Sequence, residues 1–117
     1  MPKNKEATRY FSTNQENHVA KLIGGKRMAN SGAATFAAGD VYEESASILI
    51  ECKTPTTEKN SFSIKKEWLE KNKEEAFSVR MCNTALAFEF GPAQKNYFVI
   101  DEKLFRFLCE KLREENA

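Results

Sequence analysis

Three charged side chains, Asp40, Glu51 and Lys53, lie in one short stretch and could together do hydrolytic chemistry. The stretch runs from Gly39 to Lys53. Ile48, Leu49 and Ile50 form a β-prone apolar run, and the polar Glu44-Ser45-Ala46-Ser47 before it suits a turn, so the whole reads as a tight β-hairpin. A turn centred between Ser45 and Ala46 sets position 40 opposite position 51 across the strands. Glu51 and Lys53, two residues apart, share a face. Two carboxylates brought together repel unless something positive sits between them. A hard divalent cation bound by oxygens answers that repulsion, with Lys53 beside it to orient or polarise a water. Octahedral oxygen coordination favours Mg2+, with Mn2+ as substitute, and the Cys52 carbonyl offers a third oxygen. The Cys52 side chain is expected to point away, into the core.

The elements that must hold this hairpin can be read on either side of it. A helix is expected from about Ser12-Thr13 to Ile23, with Val19, Leu22 and Ile23 as its apolar stripe and Gly24-Gly25 as its stop. Thr13 and Glu16 also fit a capping box at its start. Residues 1–11 read as a flexible basic arm whose Lys3, Lys5 and Arg9 could touch phosphate. Residues 24–39 hold four of the five glycines and read as a short strand with a small-residue loop. After the hairpin, Pro55 ends the strand, and Phe62 and Ile64 alternate with serines as a short strand. A helix follows over about residues 65–79, with Trp68, Leu69, Ala76 and Phe77 on one face and a solvated lysine–glutamate face opposite. Ala85–Phe90 reads as a strand with one buried face and Tyr97–Ile100 as its partner. Asp101 then caps a last helix with Leu104, Phe105, Leu108 and Leu112 inward. The expected class is α/β, a central mixed β-sheet flanked by helices.

Composition narrows the setting. The 117 residues, 41% hydrophobic and 30% charged, suit one globular domain over residues 1–117. No apolar run approaches a membrane span, and no apolar stretch follows the basic N-terminus as in a signal peptide. Cys52, Cys82 and Cys109 are widely spaced and odd in number, as expected of reduced, buried thiols in a cytoplasmic protein; with one histidine, a zinc site is not expected. Net charge is +1, but residues 1–39 hold six Lys/Arg against two Glu, whereas the remainder holds twelve against fifteen Asp/Glu. That distribution fits an acidic metal pocket with a basic approach better than a generic electrostatic DNA binder.

Gly39-Asp40, ten intervening residues, then Glu51-Cys52-Lys53 resembles the D-x(n)-E-x-K core of the PD-(D/E)XK nucleases, with Gly39 where a proline is usual. From Gln15 to Phe90 the chain is similar to the small Holliday-junction resolvases of archaea and phages. The resemblance implies a restriction-endonuclease-like fold and a Mg2+-dependent endonuclease, with Asp40 and Glu51 as metal ligands and Lys53 as a catalytic residue. It also implies a catalytic acid on the first helix, at Glu16, reaching the metal directly or through water. Lys26, Arg27 and Ser31 match the basic residues and serine that precede the catalytic Asp in such resolvases, and with Lys65 and Lys66 they are the expected DNA contacts. A chain this short has no room for a sequence-reading domain, which favours recognition of branched DNA shape, and symmetric cutting of a four-way junction implies a homodimer. Other readings are a restriction, repair, flap or single-strand nuclease, or a non-catalytic DNA-binding module on the same fold. Compactness and the resemblance lean towards a phage or another mobile element.

Overall fold

The structure, a computed structural model, describes residues 5–28 and 39–117. In chain order the elements are α1 (Lys5–Ile23), β1 (Lys26–Arg27), β2 (Val41–Glu43), β3 (Ile48–Lys53), α2 (Lys66–Ser78), β4 (Asn83–Phe88), β5 (Tyr97–Val99) and α3 (Glu102–Glu115). Among the described residues, the strands form one five-stranded sheet in the order β1-β2-β3-β4-β5. β1, β2 and β3 run antiparallel, β4 is parallel to β3, and β5 returns antiparallel. The parallel step requires a crossover, which α2 supplies. The result is the mixed α/β sheet expected from the sequence. No helix among the described residues is long and apolar enough to cross a membrane.

The central strands set the layering. Ile48-Leu49-Ile50 feeds both faces of the sheet, as a buried strand does. On one face Val41, Ile50, Ala85 and Ala87 pack against Val19 and Ala20 of α1. On the other, Leu49 packs against Ala76 of α2 with Met28, Tyr42, Val79 and Met81 around them. Leu49, Ile50, Leu86, Val19 and Val41 are fully buried, each contributing about 1.5–3 kcal/mol of hydrophobic stabilisation. Gly24, at φ 69°, adopts the left-handed conformation that ends α1.

Several expectations are corrected. α1 begins at Lys5, so most of residues 1–11 is helix rather than a loose arm, while residues 1–4 lie outside the described residues. Thr13 is therefore inside the helix and cannot act as a cap. Leu22 is 59% exposed; the inward stripe runs instead through Gln15, Val19 and Ile23. Phe62 and Ile64 lie in a connection and not in a strand. Phe77 is 86% exposed, because Asn72 and Ala76 take the inward face of α2. In β4, Ala85, Leu86 and Ala87 are all buried, since the strand lies inside the sheet with both faces covered. The three cysteines are free thiols, but Cys82 is exposed. Asp101 caps α3 as expected, its carboxylate accepting from the Leu104 N–H at 2.9 Å. The apolar side of that helix is not buried: Phe105, Leu108 and Leu112 stand open.

Candidate active site

The hairpin fixes the positions of Asp40, Glu51 and Lys53. β2 and β3 pair as Val41–Ile50, Tyr42–Leu49 and Glu43–Ile48, so the next positions outward are Asp40 and Glu51. The turn between them is closed by Glu43, whose carboxylate accepts from the N–H groups of Ser45 (3.2 Å) and Ala46 (2.7 Å). Ser47 follows in a left-handed conformation, φ 53°. Asp40 is tied to β3 twice: its N–H donates to the Ile50 carbonyl at 2.9 Å, and its Oδ2 accepts from the Cys52 N–H at 2.7 Å. Gly39 precedes it at φ 60°, and a side chain there would run into Leu49, with a Cβ only 2.6 Å from Leu49 Cγ.

Glu51 and Lys53 face α2, as period-two alternation demands. Lys53 Nζ lies 3.2 Å from Glu51 Oε2 and 4.6 Å from the centre of the Trp68 ring. Lys65 Nζ lies 5.6 Å from the same ring, so Trp68 carries two cations. Glu51, Lys53, Glu67, Trp68, Lys71 and Asn72 line a cleft of about 300 Å³. Cys52 points to the opposite face, against the α1 core. Its thiol is held above its ordinary pKa by burial and by the surrounding carboxylates, so it is an inert core group.

Glu16 reaches the site from α1. Its Oε1 accepts from both Nε and Nη2 of Arg27, each at 3.1 Å, linking the helix to edge strand β1. Burial pushes Asp40 up to about 6, with the negative charge of Glu16 adding to it and the Cys52 N–H and Lys53 opposing. Glu51 is raised by burial and then by the charge of Asp40, against the pull of Lys53. Glu16 is raised by burial despite Arg27. Three acids thus share one strained electrostatic environment. The donors of Asp40 and Glu51 are hard oxygens, and Mg2+ is typically held by one or two carboxylates with water and phosphate completing its shell, so this pair fits such an ion. Among the described residues, no three His, Cys, Asp or Glu side chains group as a metal cage.

The DNA contacts expected from the sequence are placed unevenly. Lys65 and Lys66 are exposed at the start of α2, Lys65 beside the site through Trp68, while Lys66 pairs with Glu70 at 3.8 Å. Lys26 and Arg27 are exposed on β1, with Arg27 engaged by Glu16. Ser31 lies outside the described residues.

Several polar residues near the site escaped the sequence reading. Gln15 is 2% exposed, and its Nε2 donates to the Lys53 carbonyl at 2.9 Å, the Ala87 carbonyl at 3.3 Å and Asn96 Oδ1 at 2.9 Å. Asn96 in turn donates to the buried Glu89, which also accepts from Thr54, so a polar network braces the end of β3. Asn72, 3% exposed, donates to the Leu49 and Ala85 carbonyls. Glu75 accepts from the Gly39 N–H at 2.8 Å and adds negative charge near Asp40 and Glu51. For Gln15 and Asn72 the available signal was a polar residue at an apolar-stripe position, four before Val19 and four before Ala76.

Comparison of the chain with protein families, with curated proteins and with solved structures found no match.

Proposed function

We propose that this chain is a metal-dependent endonuclease that hydrolyses DNA phosphodiester bonds, acting as a dimer on branched DNA such as four-way junctions. The observation that carries the reading is that Asp40, one residue beyond the last β2–β3 pair, bonds to the Ile50 carbonyl and the Cys52 N–H on either side of Glu51, with Lys53 in contact with Glu51. The element order, a helix, an antiparallel three-strand meander, a crossover helix and a parallel strand, supports a restriction-endonuclease-like arrangement.

Asp40 and Glu51 would hold Mg2+, with the Cys52 carbonyl as a further oxygen. Such an ion neutralises charge on the attacked phosphate and acidifies a nearby water. The chain's own groups do the rest. Lys53, held between Glu51 and the Trp68 ring, presents an ammonium that can donate to a phosphate oxygen and orient the attacking water. Arg27, paired with Glu16, favours its ionised form against the burial that raises it, and the carboxylate at the rim can then accept a proton from that water. Lys65 and Lys66 on one side and Lys26 on the other offer cations for the phosphates flanking the cut.

Cleavage of a labelled four-way junction, a matched duplex, a flap and a single strand in Mg2+, with Asp40→Asn as control, tests the proposal. Paired symmetric nicks in the junction, lost in the variant, are expected. Equal cutting of duplex or single strand would keep the nuclease and remove the junction preference. Junction binding without any cutting would leave a DNA-binding module in its place.

A further inference from the structure

We infer that α3 and the groove beside it form a two-fold contact with a second copy of this chain. This extends the dimeric part of the proposed function, but it is carried by packing and not by the chemistry of the hairpin. Leu104, Phe105, Phe107, Leu108 and Leu112 spread over roughly 160° of the helix, about one and a half times the width that one packed face occupies. Leu104, Phe107 and Leu108 lean over an apolar groove of about 550 Å³ floored by Ile48, Ile50 and Ile100. Phe105 and Leu112, 59% and 61% exposed, project beside it. Among the described residues, none belonging to α3 is buried.

One face therefore carries both projecting apolar side chains and an open apolar groove. A two-fold axis lets each copy's projections enter the other's groove, the self-complementarity of an isologous interface. Charge selects the same occupant. α3 carries four basic and four acidic residues, so its rim is neutral. An anionic membrane or an acidic peptide would call for a basic rim; a second α3 would not.

The area agrees. Leu22, Phe98, Phe105, Phe107, Leu108 and Leu112 are between 37% and 61% exposed. At about 200 Å² for a whole phenylalanine and slightly less for a leucine, they expose roughly 500–600 Å². A standard interface covers about 800 Å² per partner, about 65% of it apolar in homodimers, hence roughly 520 Å².

Sedimentation equilibrium of the full chain without DNA at about 50 μM tests this. Twice the chain mass is expected. Phe105→Glu and Leu112→Lys, both at positions already exposed, should keep the circular dichroism of the parent and weaken association by about 100-fold or more. Phe77→Glu, on α2, should leave the dimer intact. A monomeric parent, or dimers that persist in both α3 variants, would overturn the inference, as would a parent that stays monomeric while binding some other protein. Since the readout is mass alone, either result leaves the hydrolytic reading to its own test.

Discussion

Replacing Asp40 by Asn should abolish cleavage and at the same time stabilise the metal-free protein. Burial and the charge of Glu16 raise the Asp40 carboxyl from 3.8 to about 6. At 1.36 kcal/mol per pKa unit, keeping it ionised above pH 7 costs about 3 kcal/mol. The sign follows from the folded state binding the proton more tightly than the unfolded chain does. The favourable contribution is complete below about pH 4 and is lost as pH rises through about 6. Asn retains an oxygen to accept the Cys52 N–H but leaves an amide to satisfy, so a net gain of about 1–2 kcal/mol remains. For a chain of this size that corresponds to a melting temperature higher by about 4–8 °C at pH 8. The two proteins should converge near pH 4, while Glu51 and Glu16, both raised, keep some pH slope in the variant. Thermal denaturation followed by circular dichroism in chelator between pH 4 and 8 checks this. A variant that melts at or below the parent at pH 8 would show that the ionised Asp40 is no burden to the fold, and the reasoning from burial and neighbouring charge would fail.

In about 10 mM Mg2+ the parent should gain roughly 1 kcal/mol or more of stability if millimolar binding holds, and Asp40→Asn should gain little; equal shifts in a calorimetric scan would remove the ion from this pair. Lys53→Met should lower cleavage by about 100-fold or more while preserving the Mg2+-dependent melting shift, and loss of both would make Lys53 a structural residue. Gln15→Ala should cost about 2–4 kcal/mol in a urea titration, because it opens a cavity and strips partners from the Lys53 and Ala87 carbonyls. Gly39→Ala combines a positive φ with a collision against Leu49 and should cost about 2 kcal/mol or more; a neutral result in the same titration would mean that the strand before Asp40 relaxes freely.

The hairpin was legible because its information is local. Turn-prone residues on a two-residue repeat specify which side chains oppose one another, and β2 and β3 pair in the register that repeat gives, Val41 with Ile50 and Glu43 with Ile48. The helices were legible as amphipathic segments but not in what their faces meet. Phe77 was expected inward and Asn72 was overlooked, since hydrophobicity ranks side chains without knowing which carbonyls in the neighbouring strand need a donor. Glu75 belonged to a charged run that is solvated along most of its length; only the docking of α2 beside Gly39 separates it from its neighbours. For α3 the periodicity was right and the inference from it was not, because a pattern that demands an apolar partner does not say whether the partner lies in the same chain.

The Ile48-Leu49-Ile50 run carries a hazard of slippage. A strand with one buried face resists sliding by a residue, because the slide would expose its apolar set. This run is apolar on both faces, so a one-residue slide would still bury hydrocarbon while turning Glu51 and Lys53 towards α1 and Cys52 towards the cleft. Hydrophobic burial thus guards the fold but not the chemistry. Fidelity falls to two small polar devices, the Glu43 carboxylate that closes the turn and the Asp40 side chain clasping the Cys52 N–H. An insertion or deletion of one residue between Glu44 and Ser47 would therefore be expected to leave a folded protein with its acids on opposite sides of the sheet, a lineage that keeps its shape and loses the proposed site.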